Sequence, residues 1–133
     1  MFHFFKNDHT VSIISPNEFT EILNFLPGSE NVIVYESQKE KSDVLFDEAE
    51  IIFTLDFNSL GRAKNVSYKI SKSSAKVVMI DHHENPDDYA DFMISNSKMS
   101  STSEMIYDFI DYIDSNKIDN KIIDTLILAR EKF

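Results

Sequence analysis

Apolar residues gather in short runs along the first part of the chain, at 11–14, 32–35, 51–55 and 77–80. None of these runs alternates with polar positions, so each predicts a strand buried on both faces, the pattern of a parallel sheet. Helical stretches fit between them. Pro16-Asn17-Glu18, with Ser15 as N-cap, opens one that Leu26-Pro27-Gly28 closes. A second is predicted over 37–49 and a third over 62–73. After a short fifth strand at 92–94 the pattern turns wholly helical. There Thr102 or Ser103 caps a helix whose Met105, Ile106, Phe109, Ile110 and Ile113 share one face, with Asp108, Asp111 and Asp114 on the other. A last helix over 118–132 points Ile122, Ile123, Leu126 and Ile127 inward. Strand and helix alternate to about residue 95 and only helices follow from about 102. The class is therefore α/β: a parallel sheet flanked by helices, with a helical C-terminal part.

At 133 residues there is room for one domain, and 42% hydrophobic with 27% charged residues suits a packed core. No apolar run approaches the roughly 20 residues of a membrane helix. Met1-Phe2-His3-Phe4-Phe5-Lys6 has neither the basic start nor the long apolar stretch of a signal peptide. The absence of Cys excludes disulfides, thiol nucleophiles, iron–sulfur clusters and cysteine-ligated zinc, and it suits the cytoplasm. The two glycines, Gly28 and Gly61, stand far apart, so Walker loops and Rossmann fingerprints are both missing. Charge narrows the partners further. Thirteen Lys and Arg against 23 Asp and Glu give a net charge of -10, which repels long nucleic acids. A phosphate-bearing substrate then needs bound metal ions to reverse the local sign.

Chemistry concentrates at two strand ends. The run 77–80 feeds directly into Asp81-His82-His83, and the run 51–55 feeds into Asp56. Open parallel sheets form their ligand sites at the carboxyl edge of the strands. If these two strands are neighbours, Asp56 and Asp81-His82-His83 converge there, and carboxylate with imidazole suits manganese, iron or zinc rather than calcium. Each feature also has a plainer reading: Asp56 as a turn former or helix cap, the histidines as ordinary surface. His3 and His9 have no carboxylate at ligand spacing. Met93, Met99 and Met105 read as core filler, and Asp87, Asp88 and Asp91 as a solvated turn. Ser100-Ser101-Thr102-Ser103 offers hydroxyls and amides to a phosphate at a helix N-terminus, or simply caps that helix. Arg62, one of two arginines, faces a phosphate or sits on a helix surface.

Taken in succession, these residues resemble the DHH phosphoesterases. The likeness is carried by Leu55-Asp56-Phe57-Asn58-Ser59-Leu60, Ile80-Asp81-His82-His83 and Asn85-Pro86-Asp87-Asp88-Tyr89-Ala90-Asp91-Phe92. Ser15-Pro16-Asn17-Glu18-Phe19, Leu26-Pro27-Gly28 and Ser101-Thr102-Ser103-Glu104-Met105-Ile106-Tyr107 add to it, over about Met1 to Ala129. The branch resembled is the bacterial oligoribonuclease (nanoRNase) that also removes the 3′-phosphate of adenosine 3′,5′-bisphosphate (pAp). The resemblance implies two divalent metals, usually manganese, and a short oligoribonucleotide or pAp as substrate. It implies Asp56 as the carboxylate bridging both metals and His82 as a ligand to one. It places His83 toward the substrate phosphate, with Asp81 as the support of the histidine pair, and Arg62, Ser101 and Thr102 stand beside it as the phosphate candidates of the residue reading.

The departures from the family pattern carry their own expectations. No His-x-Asp-x-Asp motif precedes Asp56, and no Thr-Asp-Thr-Gly-like turn follows Ala129. The family's second domain is absent too, so the chain reads as the middle of a catalytic domain, 1–133, with about half its metal ligands. Such a chain is expected to be inactive or weakly active. The alternative is a non-catalytic module that binds a nucleotide or a protein, self-associating through an exposed sheet edge. A truncated gene model with no independent role is the third reading.

Overall fold

The computed structural model describes residues 9–18 and 26–132. The helix expected between Ser15 and Leu26 falls largely on 19–25, outside the described residues. The chain divides into two compact units, Met1–Ile52 with Ala63–Ala75, and Phe53–Arg62 with Lys76–Phe133.

In the first unit, β1 (Ile14–Ser15) and β2 (Ile33–Val34) pair in parallel. Both are shorter than the apolar runs that predict them, and β1 begins where its run ends. Between them Gly28 turns with φ 91°, a left-handed conformation that costs glycine little, and starts a 3-10 turn over Ser29–Asn31. Helix α1 (Lys39–Glu48) and helix α2 (Lys64–Lys72, led by a 3-10 turn over Leu60–Ala63) fall inside the stretches predicted for them. They pack on each other. Tyr35 is buried with its ring edge-on to Phe46 at 6.3 Å, and its hydroxyl donates to Asp43 at 2.8 Å. Burial, with the Asp43 carboxylate beside it, raises the Tyr35 pKa above its ordinary value.

A three-stranded sheet runs in the order β3 (Ile51–Leu55), β4 (Lys76–Asp81), β5 (Phe92–Ser95), with β4, β5 and β3 from Phe53 onward in the second unit. Strand β4 is central and pairs in parallel with β5, Val78 opposite Phe92 and Asp81 opposite Ser95. Burial on both faces holds for β4, where Met79 and Ile80 are closed to solvent. Such side chains contribute roughly 1.5–3 kcal/mol each. It fails for β3. Ile52 and Thr54 are buried while Ile51 is 56% and Phe53 36% exposed, so this outer strand of the sheet alternates as a one-faced strand does. Strand β5 is exposed as well, and Met93, read from the sequence as core, is 41% accessible.

Helix α3 (Thr102–Asp114) packs against β4 and against helix α4 (Asn120–Lys132). Its cap is Ser101 rather than Thr102 or Ser103: the Ser101 hydroxyl accepts the Glu104 N–H at 3.2 Å, and the Ser100 hydroxyl donates to the Glu104 carboxylate at 2.6 Å. The helix starts one residue earlier because this pairing satisfies its first turn at both ends. Met105 and Ile110 are buried as the periodicity requires, and Phe109 meets Phe53 edge-on at 6.0 Å. Ile113 and Ile127, expected inward, are 56% and 50% exposed. Ile122 is the buried anchor of α4. No helix among the described residues is long and apolar enough to cross a membrane.

Candidate metal centre

The parallel sheet of the second unit delivers Asp81 and Asp56 to one carboxyl edge, as the neighbouring-strand condition requires. Asp81 ends β4 with its side chain closed to solvent. Its carboxylate accepts the backbone N–H of His83, two residues on, which turns the chain sharply out of the strand. The same carboxylate takes the His83 ring nitrogen Nδ1 at 3.0 and 3.1 Å. A carboxylate oxygen is an acceptor, so Nδ1 donates in this contact, and a neutral ring then keeps its Nε2 lone pair for a ligand.

His82 is held from elsewhere. Its Nδ1 lies 3.3 Å from the Met99 carbonyl oxygen, another pure acceptor, so its Nε2 is again the lone-pair nitrogen. That Nε2 stands 3.8 Å from Oδ1 of Asp56. Asp56 itself follows β3 in a left-handed conformation, φ 67°, sparsely populated by residues other than glycine and better tolerated by Asp than by most. Its backbone N–H donates to the Ile80 carbonyl at 3.1 Å, which ties it to β4. Its side chain accepts the Thr102 hydroxyl at 2.7 Å. Asp56, His82 and His83 thereby bring one ligand atom each within 4.8 Å of one another, the only such group of acidic, histidine or cysteine side chains among the described residues. One carboxylate oxygen and two imidazole nitrogens with their protonated nitrogens facing away fit a first-row divalent metal.

The loop bearing the histidines, 82–91, is fastened to the segment bearing Asp56. Asn58 donates through its side chain to the Glu84 carbonyl at 2.6 Å, and Asp87 N–H donates to the Asn58 carbonyl at 2.8 Å. The Tyr89 hydroxyl donates to the Phe57 carbonyl at 3.0 Å and meets the buried Thr54 hydroxyl at 2.7 Å. Burial raises the Tyr89 pKa above its ordinary value, against the opposing Thr54 hydrogen bond. Asp91 is not the merely solvated turn residue of the sequence reading. It ion-pairs with Lys76 and accepts the Val77 N–H at 2.9 Å, and these hold its carboxyl below the ordinary aspartate value.

The remaining residues named from the sequence divide. Thr102 is buried and its hydroxyl is spent on Asp56, while Ser101 is the helix cap. Arg62 lies exposed in the 3-10 turn after Asp56, and its guanidinium makes no ion pair among the described residues. A cleft of about 400 Å³ opens beside His83, lined also by Asn85, Ser95, Asn96, Ser97 and Lys98, with Glu84 on its wall. Lys98 and the Met99 carbonyl are site groups that sequence reasoning missed. A lone lysine carries no pattern, and a backbone carbonyl leaves no trace in residue types.

Three comparisons bear on this arrangement. No curated protein matches the chain. A crystal structure of an exopolyphosphatase-related protein from Bacteroides fragilis is similar at 34% identity, with a TM-score of 0.90 over 95% of this chain. The chain spans 38% of that protein's length. The family model described as "DHH family, N-terminal domain" matches residues 1–129, almost the whole chain. The two strand ends with their carboxylates and paired histidines, the α/β fold and these matches have one account: the chain belongs to the DHH family, as its N-terminal domain.

Proposed function

We propose that this domain serves a metal-dependent phosphoesterase acting on short oligoribonucleotides and on the 3′-phosphate of pAp. The observation that supports this reading best is the Asp56, His82 and His83 cluster at the sheet's carboxyl edge. In it Asp56 and His82 hold manganese, and His83, braced by buried Asp81, faces the substrate phosphoryl group. Divalent ions held there would supply a polarised water and neutralise phosphoryl charge. The chain's own residues orient and exclude. Asp81 keeps the His83 proton on Nδ1, and the Met99 carbonyl does the same for His82. The His83 cleft offers Lys98, across from Glu84, as a cationic contact for the phosphate next to the reacting one.

Two ligand groups among the described residues, Asp56 and His82, are few for two ions, so this chain alone is weakly active or inactive. The test is a manganese titration by calorimetry on the chain and on His82→Ala, with pAp and a dinucleotide assayed alongside. Micromolar or tighter binding, lost in the variant and accompanied by slow turnover, is expected. Rapid multiple turnover would remove the claim of weak activity. Absence of manganese binding in both proteins would overturn the metal reading. It would favour the second one, a non-catalytic module that pairs through its exposed apolar strand residues, for which Phe53, Phe92 and Met93 speak.

A further inference from the structure

The two proposed metal ligands that do not support themselves, His82 and Asp56, are both held by one short segment. Met99 presents its carbonyl to His82 Nδ1 at 3.3 Å, and three residues later Thr102 gives its hydroxyl to Asp56 Oδ1 at 2.7 Å. Between them lie Ser100 and Ser101, locked to Glu104 by the reciprocal cap of α3. We infer that the segment from Met99 to Thr102 is the positioning element of the metal centre, and that Thr102 is a positioning residue acting through Asp56 rather than a donor to substrate. This rests on the metal reading above and adds to it the source of the ligand geometry.

The proton count carries the argument. A threonine hydroxyl has one proton to donate. Thr102 is 5% exposed, and its proton is committed to a carboxylate 46 residues away in sequence. It therefore has none for a phosphate. Oδ1 is also the carboxylate oxygen nearest His82 Nε2, so the bond sets the rotamer that brings the two ligand groups together. Asp56 needs such a bond more than its counterpart does, because its side chain is 57% exposed and its backbone is left-handed. An exposed carboxylate without an orienting partner samples several rotamers, and ordering it would weaken every metal-binding event. Because the segment is continuous with the α3 cap, helix docking and ligand orientation are one structural event.

Two near-isosteric variants separate hydroxyl from methyl. Thr102→Val keeps the shape and removes the proton; Thr102→Ser keeps the proton and removes the methyl group. Manganese calorimetry on the whole chain should show binding weakened about 10-fold or more in Thr102→Val, the range seen when a ligand's orienting partner is lost. Thr102→Ser should bind within a few-fold of the parent, with circular dichroism confirming that both fold. Should the valine variant fail to fold, Thr102→Ala against Thr102→Ser makes the same comparison. Parental affinity in Thr102→Val, or equal weakening in the serine variant, would overturn the inference while leaving the metal reading intact. No binding by the parent chain would instead bring down the metal reading, and with it the inference.

Discussion

The ends of β4 and β3 present the same residue type to the same edge and organise it in opposite ways. At the end of β4, Asp81 is closed to solvent, and its carboxylate closes a turn and braces a histidine within two residues. At the end of β3, Asp56 is mostly exposed, sits at φ 67°, and depends on a hydroxyl 46 residues on. The first arrangement is local and is built as the strand forms. The second exists only once α3 has docked. A carboxylate that shapes the fold and one left exposed at the same edge thus stand side by side. Their burial tells them apart.

The sharpest way to break this contrast is to remove each carboxylate in turn. Asp81→Ala should injure both fold and site: it strands the part-buried His83 N–H, which costs about 1 kcal/mol or more, and it weakens manganese binding about 10–100-fold through the loosened histidine. Asp56→Asn keeps an acceptor for Thr102 and should leave the urea midpoint almost unmoved while abolishing the titration. Equal loss of stability in the two variants, measured by urea unfolding, would erase the distinction. A smaller effect is expected at the fastening between the two loops. Tyr89→Phe removes the hydroxyl that joins Thr54 to the Phe57 carbonyl and should lower stability by about 1–2 kcal/mol, read from the same denaturation curves. No change would mean the loop is held by the Asn58 bonds alone.

The smallest effect concerns Asp91, held below the ordinary aspartate value first by its Lys76 hydrogen bond and then by the Val77 N–H. As pH falls the unfolded chain takes up this proton before the folded one does. The stability it contributes is therefore whole above about pH 4 and fades as pH drops through the depressed folded value. Asp91→Asn should make unfolding free energy less sensitive to pH between about 5 and 3. Parallel acid limbs for parent and variant would show that the pair contributes nothing at the foot of β5.

Much of the fold was legible because it rests on short-range pattern. The apolar runs of β3 and β4, the helices over Lys39–Glu48 and Thr102–Asp114, and the short β5 all stand where periodicity puts them. The pattern misled where neighbours decide exposure. Ile51, Phe53, Met93 and Ile113 are as apolar as any core residue, and nothing in their own segments says that they face out. The candidate site divides in the same way. A strand ending in Asp-His-His announces itself, whereas nothing in the residues around Thr102, readable as a phosphate contact or as a helix cap, places its hydroxyl 2.7 Å from Asp56.

From residues alone came the alternation of strand and helix, the carboxyl-edge position of Asp56 and Asp81-His82-His83, and the acidity that makes a cation the natural mediator for a phosphate. These follow from interactions spanning a few residues or from summed charge, which a linear pattern records. Strand order, the outward face of β3, and the bonds from Met99 to His82 and from Thr102 to Asp56 came from packing. Those bonds join groups 17 and 46 residues apart, and their energy is realised only after the sheet is ordered and α3 has docked.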